Sequence, residues 1–273
     1  MSNKDHSQII SRDIQFAERA TTRIWQETAS EDNPYIAAGC RCHGYDLQEL
    51  MHKRSFVEVF YLLFRGELPS GSEAELLEHL MIALINPGPR HPATRAAINT
   101  AVGKTDPAHI LPIGMMVLSG EHLGGIEVEA SMRFIRKRLR DDPQCVAGEL
   151  LESERPPAEG DWHIAPGFGN RFGGIDIMPG KIAAQLAQLP GSGKALAWGE
   201  AFARALQPHD MGWLTSGIAA AAFCDLGFQP RAAAGLLQIL SAPGLLAHGL
   251  EYANKPITAL PRISDEDYHI GKK

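Results

Sequence analysis

Helical spacing of apolar residues runs through most of this chain and is the feature that most constrains its fold. The clearest example is an apolar stripe with i, i+3, i+4 spacing made of Phe56, Val59, Phe60, Leu63 and Phe64. Gly66 and Pro69 follow it, and these residues are typical of a helix end. Alternating strand patterns are nearly absent from the 273 residues. The sequence therefore predicts a mainly α fold.

Further helices are expected along the chain. Apolar residues near 3.6 spacing predict a helix over residues 8–28. Ser72 and Glu75 have the spacing of a capping box ahead of the next helix. A Gly-Gly break predicts a helix from about Ile126, and residues 231–256 predict a final buried pair of helices.

Composition excludes several classes of protein. Apolar residues make up 44% and charged residues 21%, the balance of an ordinary soluble globule. The net charge of −6 argues against a nucleic-acid surface, and the basic run Arg133–Asp142 is interpreted as a solvated helix face. The first ten residues lack a secretory apolar region, and no run approaches the roughly 20 apolar residues of a membrane span. We therefore expect a cytoplasmic protein with no membrane partner.

The four cysteines do not form a recognisable framework. They are scattered, so disulfides are not expected. "CRCH" at residues 40–43 suggests a metal cluster, but no second Cys/His cluster completes four ligands. No metal site is therefore predicted.

Several segments, in order, resemble the citrate synthase superfamily, and especially its short citryl-CoA-lyase-type members. The most specific match is "HGYDLQELMHKRSFVEVFYLLFRGELPSGSE", residues 43–73, which is similar to the family's R-G-Y-D-L segment and following helix. The other matches are "LGGIEVEA", "PGFGN", "SGIAAAAFCDLGF" and "SAPGLLAHGLE", which begin at residues 123, 166, 216 and 241. The correspondence covers residues 22–256.

This resemblance implies a two-lobed, citrate synthase-like helical fold and a homodimer. The large domain would comprise residues 1–133 and 213–273, and the small domain residues 134–212. Apolar and small-residue helices around residues 109–120 and 216–224 are expected to pack against a second copy. The implied ligand is an acyl-CoA or a small carboxylate, with a CoA ester as substrate and no covalently bound cofactor.

The chain departs from the family where the family's chemistry is carried. Leu123 stands in the place of the histidine of H-G-G-A, and Asn170 replaces the histidine of G-F-G-H. Ser216 occupies the place of the base aspartate, and Ser241 that of a citrate-binding arginine. A leucine cannot transfer protons, and a serine of ordinary pKa is a poor base for a carbon acid.

Neighbouring groups are candidates to replace them. His122 precedes Leu123, so a one-residue shift of the turn would bring its imidazole into the same cavity; an exposed turn histidine is the alternative. Asp210 is a candidate base, with a helix-capping role as the alternative. Asn170 can donate a hydrogen bond to a carbonyl oxygen. The predicted catalytic set is thus His122, Asn170, Asp210 and Ser216.

A second group of residues is predicted to bind substrate. Arg171 can pair with a carboxylate or phosphate, or it can lie at the surface. His248 is a ligand contact or a core histidine, and His43 opens the "HGYDL" segment. Backbone N–H groups of the glycine-rich loop, which contains Gly167, Phe168 and Gly169, can hold an anion such as CoA.

Two functions remain open from the sequence. The first is a diverged C–C bond lyase or acyltransferase acting on an acyl-CoA or small carboxylate. The second is a non-catalytic citrate synthase-like dimer that binds a small acid or CoA ester, or that partners another enzyme. Polar groups converging on the cavity would favour the enzyme.

Overall fold

The computed structural model describes residues 21–264, 266–268 and 271, and it divides the chain into two compact units. The first unit ends at Glu67 and the second begins at Leu68. Within the described residues there are eleven α-helices and five short strands. The mainly α prediction is confirmed. The predicted lobe boundaries at residues 133/134 and 212/213 stay a prediction.

From residue 21 onward, the first unit contains a three-stranded antiparallel sheet and two α-helices. Its elements are β1 (Trp25–Ala29), β2 (Ala37–Cys42), β3 (Tyr45–Asp46), α1 (Leu47–Lys53) and α2 (Phe56–Arg65). The strand order is β1-β2-β3. Ser55 and Glu58 form a capping box at the start of α2, and Gly66 ends the helix in the left-handed conformation. The predicted end of this helix is confirmed.

The helix predicted over residues 8–28 is wrong at its C-terminal end. Trp25–Ala29 form β1, paired with β2, because the β-branched and aromatic residues there favour a strand once a partner satisfies their backbone. Residues 8–20 of that prediction lie outside the described residues.

The described residues of the second unit form nine α-helices and a two-stranded ribbon. Its elements are α3 (Gly71–Leu84), α4 (Pro92–Val102), α5 (Ile110–Leu118), α6 (Gly125–Arg138), α7 (Pro143–Ser153), β4 (Phe168–Gly169), α8 (Ile177–Leu186), α9 (Lys194–Leu206), β5 (Gly212–Trp213), α10 (Thr215–Asp225) and α11 (Ala233–Tyr252). The helix expected from about Ile126 is confirmed as α6. The capping box of α3 is formed by Ser70 and Glu73 rather than by Ser72 and Glu75, so the helix begins two residues earlier.

Helix α10 lies at the centre of this unit. Every residue from Ser216 to Phe223 is buried, and the helix packs against α3, α6, α8 and α9. Its small side chains let these neighbours approach closely. The expectation that this helix offers spare surface to a second copy is therefore wrong, since the chain itself covers it.

Helix α11 is continuous, where a pair of helices was expected. Pro243 lies inside it, and the next N–H, that of Gly244, donates to the carbonyl of Ile85. Proline has no N–H and disturbs the hydrogen bonds of the helix around it. The hydrogen bond from Gly244 to the end of α3 compensates for this loss, so the proline is tolerated. The segment Pro230–Tyr252 is long and apolar enough to cross a membrane, but α11 packs against α3, α4, α5 and α6 as a core helix does.

An aromatic cluster fixes the ribbon formed by β4 and β5. The ring of Phe168 lies 4.6 Å from that of Trp213 and 4.8 Å from that of Phe202, centre to centre. Phe134 and Trp198 extend the cluster onto α6 and α9. The glycine-rich loop that contains β4 is thereby held against the helical core.

Candidate functional site

A cavity of about 270 Å³ lies in the second unit, beside the N-terminus of α10. It is bordered by the end of α3, the turn before α6, the loop before α8 and part of α11. Its polar lining residues are Asn86, His91, Arg171, Asp176, Thr215, Ser216 and Ser241. Its apolar lining includes Leu84, Leu118, Leu123, Met178, Ile182 and Leu237. The cavity therefore combines an apolar body with a few polar groups, which is typical of a small-molecule site.

Ser216 is the most informative residue in the cavity wall. It is only 3% exposed, and its hydroxyl has no hydrogen-bond partner among the described residues. It lies in the first turn of α10, where N–H groups and the helix dipole favour an anion. A buried unpaired hydroxyl costs free energy, so its position suits a ligand that supplies the missing bond.

Arg171 provides the cavity with a cation. Its guanidinium donates to Asp176 at 3.1 Å, and both side chains are largely buried. The Arg171 Nε is buried and has no acceptor in the described part of the chain. A second cavity of about 600 Å³ shares Arg171, Asp176 and His91 with the first. Arg171 thus lies where the two spaces meet, with a donor left for an anionic ligand.

His91 also lines both cavities, but its ring nitrogens already have partners. Nδ1 accepts the N–H of Ala93 at 3.1 Å, which caps α4, and Nε2 lies 3.3 Å from the carbonyl oxygen of Leu123. Nε2 therefore carries the proton and donates. Burial lowers the pKa of His91 below its ordinary value, and the nearby charges of Arg171 and His122 act in the same direction. His91 is thus a neutral positioning group.

The turn before α6 is held by a buried carboxylate. Leu123 has a φ of 56°, a left-handed conformation that is unusual for leucine. Its N–H donates to one oxygen of Glu127 at 2.9 Å, and the other oxygen lies 2.7 Å from Nδ1 of His163. The His163 ring faces that of the exposed His122 at 5.0 Å. His122 itself does not line the cavity, so the predicted one-residue shift of the turn is absent.

The glycines of the loop around β4 serve packing. A Cβ on Gly167 would lie 2.5 Å from Cα of Gly217, and a Cβ on Gly169 would overlap the carbonyl of Trp162. Gly167 also has a φ of 82° and accepts a hydrogen bond from the N–H of Leu214. Their predicted role as an anion-binding backbone stays untested, while the observed close approaches are to protein backbone.

Asn170 and Asp210 are placed away from the cavity lining. The side-chain oxygen of Asn170 accepts the N–H of Trp162 at 2.6 Å, which ties the two ends of the loop together. Asp210 is exposed, in a left-handed turn after α9, and does not cap α10, whose N-cap is Leu214. The structure therefore brings together Ser216 and Arg171 from the predicted set, but not His122, Asn170 and Asp210.

His248 and His43 occupy other positions. His248 lies half-buried on α11, with Nε2 3.2 Å from the amide nitrogen of Asn86, a cavity residue. It can therefore orient Asn86. His43 belongs to the first unit, where it forms the two-residue turn between β2 and β3 with Gly44.

Sequence reasoning missed three of these residues. They are His91, Glu127 and His163, of which Glu127 lies in the helix predicted from about Ile126. Glu127 carried the clearest signal, since an acid lies between Gly125 and Val128 on the buried face of α6. A buried acid in such a position requires a partner, and that partner is His163.

Comparison with solved structures shows that the helical architecture has a citrate synthase-like fold. The sequence matches no protein-family model and no curated protein. Among solved structures, citryl-CoA lyase from Hydrogenobacter thermophilus has a TM-score of 0.74 at 24% identity, over 93% of this chain and 95% of that chain.

Two other solved structures agree with this result. ATP citrate lyase from Methanothrix soehngenii, in complex with citrate and coenzyme A, has a TM-score of 0.69 at 16% identity, over 95% of this chain and 44% of that one. Citrate synthase from Thermotoga maritima has a TM-score of 0.52 at 14% identity, over 97% and 98% of the two chains. The chain therefore has the citrate synthase-like fold, and the resemblance found in the sequence is confirmed at the level of the fold.

Proposed function

We propose that this protein binds a small carboxylate, free or as part of a CoA ester, in the 270 Å³ cavity, and acts on it as a C–C bond lyase or acyltransferase. The main support is the Ser216 hydroxyl at the start of α10, which lies in the same cavity as Arg171 and has no hydrogen-bond partner within residues 21–264. Three features there favour an anion: a hydroxyl donor, a guanidinium and a helix N-terminus. Relatives by fold carry names of enzymes that act on citrate or citryl-CoA.

Four polar groups of the cavity have proposed roles. Arg171 binds the carboxylate, and Ser216 donates to a carboxylate or carbonyl oxygen of the ligand. Asp176 is the cavity carboxylate available to accept a proton once the ligand competes with it for Arg171. His91 holds the Leu123 turn in place. The roles predicted for Asn170 and Asp210 stay predictions outside this set.

A binding experiment tests the first part of the proposal. Titration calorimetry with citrate, oxaloacetate and acetyl-CoA should detect a ligand for the full chain. Arg171→Met should weaken carboxylate binding by about 10-fold or more, since it removes a charge-assisted hydrogen bond. Arg204→Met is the matched control, because Arg204 is exposed on α9 and does not line this cavity. Equal affinities for the two variants would exclude the proposed site.

An activity experiment tests the second part. Citryl-CoA cleavage, and exchange of the acetyl-CoA methyl protons with deuterated water, should occur with the wild type and fall in Asp176→Asn. Absence of both reactions in a protein that binds these ligands would overturn the catalytic assignment.

The second function is the same binding without catalysis, and specific observations favour it. Leu123 provides no proton-transfer group, and Asn170 does not line the cavity. Both ring nitrogens of His91 have backbone partners. Ligand binding that depends on Arg171, with no turnover by the wild type, is the result expected of a non-catalytic relative.

We further propose a homodimer in the cytoplasm, with α5 as part of the interface. Helix α5 keeps apolar residues at the surface of the single chain: Met116 is 73% exposed, and Val117 and Ile113 are also exposed. Sedimentation should show a dimer at micromolar concentration. Met116→Glu should dissociate it, whereas Met51→Glu, on the equally exposed Met51 of α1, should not. A monomeric wild type would contradict the proposal.

A further inference from the structure

Two histidines and an aspartate meet behind the turn that contains Leu123. One potential ligand atom from each of His122, Asp161 and His163 lies within 4.8 Å of the others. The ligand atoms of one tetrahedral zinc ion are roughly 3.4 Å apart when its bonds are about 2.1 Å long. Side-chain movements of about an ångström would therefore bring these three groups to one ion.

The hydrogen bonding of His163 leaves one nitrogen for a metal. Nδ1 lies 2.7 Å from the Glu127 carboxylate, which accepts a proton, so Nδ1 is the donor. Nε2 is buried and has no hydrogen-bond partner among the residues that the structure describes. A carboxylate on one imidazole nitrogen, with the other nitrogen free, is the usual arrangement of a metal-ligating histidine.

The other two groups are also available. One oxygen of Asp161 accepts the N–H of Phe172 at 2.6 Å, which orients the carboxylate and leaves the second oxygen for an ion. His122 is exposed, so its ring can turn toward the site from solvent. Nitrogen and oxygen ligands of this kind suit zinc and its first-row neighbours.

We propose that His122, Asp161 and His163 form a binding site for a divalent first-row transition-metal ion, with Glu127 orienting His163. The ion would join the loop of residues 161–163 to the turn of residues 120–124. The sequence predicted no metal site because the Cys/His run of residues 40–43 has no second Cys/His cluster, and His122 is far from Asp161 and His163 along the chain. The proposal does not depend on the function proposed for the cavity, since none of the three ligands lines it.

Zinc sulfate is the probe, titrated into the full chain after chelator treatment and in the presence of a reductant. One equivalent of Zn²⁺ should bind per chain and raise the melting temperature. His122→Ala and Asp161→Asn should each weaken binding by at least about 10-fold, and Glu127→Gln by about 10–100-fold. His122 is exposed, and asparagine keeps the acceptor for Phe172, so both ligand variants should fold.

Two controls separate this site from other zinc-binding groups. His209→Ala removes an exposed histidine outside the cluster and should leave the affinity unchanged. The Co²⁺-loaded wild type should lack the near-ultraviolet band of thiolate ligation, which would report binding by the free cysteines. Absence of zinc binding, unchanged affinity in both ligand variants, or a thiolate band would each overturn the proposal.

Discussion

The two sides of the Leu123 turn differ in chemistry although they share one backbone. On the cavity side, Leu123, Ser216 and Ser241 stand where the sequence resemblance implies proton-transfer and carboxylate-binding groups. On the other side, His122 and His163 meet over the buried Glu127. The fold is therefore retained although these three cavity positions carry no titratable side chain, while His122, His163 and Glu127 lie outside the cavity lining. Backbone geometry and side-chain chemistry are separable in this fold.

If both sides of the Leu123 turn depend on a closely packed backbone, Gly167→Ala should cause the greatest loss of stability. The new Cβ would lie 2.5 Å from Cα of Gly217, in a residue with a φ of 82°. Overpacking and the left-handed conformation together should cost about 3 kcal/mol of unfolding free energy, measured by urea denaturation. Gly173→Ala is the matched control, because its φ is 77° but its Cβ would meet open space. It should cost about 1 kcal/mol. Equal losses of unfolding free energy in the two variants would mean that the left-handed conformation, and not the close contact with Gly217, accounts for the cost.

Glu127→Gln tests the difference between the two sides of the turn directly, because Glu127 contacts both Leu123 and His163. Glutamine can accept the N–H of Leu123, but it then presents an amide donor to Nδ1 of His163. Loss of a buried hydrogen bond to a charged group should cost about 2 kcal/mol, read from denaturant unfolding. Glu129→Gln, on the exposed pair with Arg133, should change stability by less than about 0.5 kcal/mol. A similar effect of the two variants would show that the buried carboxylate does not hold the turn.

Ser216→Ala and Ser241→Ala should have opposite effects on stability. Ser216 has no partner in the described chain, so its removal should stabilise the free protein by about 1 kcal/mol while weakening ligand binding. The Ser241 hydroxyl donates to the carbonyl of Leu84 at 2.9 Å, and its loss should cost about 1 kcal/mol. Thermal unfolding of each variant, with and without ligand, measures the change in stability and the change in ligand binding. Destabilisation by Ser216→Ala would mean that the hydroxyl is satisfied in the free protein.

His91→Asn should produce the smallest effect, seen in the pH dependence of stability. The pKa of His91 is lowered in the folded protein, so the unfolded chain binds the proton first as the pH falls. Protonation of His91 therefore favours the unfolded chain, and the free energy of unfolding falls as the pH drops through about 6.5. Asparagine preserves a capping side chain for α4, and the variant should lose less stability between pH 7 and pH 5. An unchanged slope in unfolding titrations would assign the acid sensitivity to other groups.

Much of the fold was predictable because helical signals are local. The end of α2 at Gly66 and the start of α6 after a Gly-Gly break follow from residues within one or two turns. The predictions were wrong where a residue distant in the sequence determines the local structure. Strand β1 exists because β2 pairs with it, and α11 continues through Pro243 with the N–H of Gly244 donating to the carbonyl of Ile85.

The candidate site was less predictable for the same reason. Ser216 and Arg171 could be identified from their places in motifs. The hydrogen bond to the side-chain oxygen of Asn170 comes from Trp162, eight residues away. Glu127 and His163 are 36 residues apart, and the local sequence around either residue does not indicate that the two side chains pair.

The sequence alone determined the helical class, the resemblance to citrate synthase-like proteins and the replacement of their catalytic residues. These properties are determined by residue type and spacing along the chain. Only the tertiary structure decided that the Ser216 hydroxyl borders a cavity and has no hydrogen-bond partner among the residues that the structure describes. It also decided that the glycines of the loop pack on backbone, and that His122 lies beside Asp161 and His163. These facts depend on which residues, distant in the sequence, come into contact when the chain packs, and local sequence patterns do not specify such contacts.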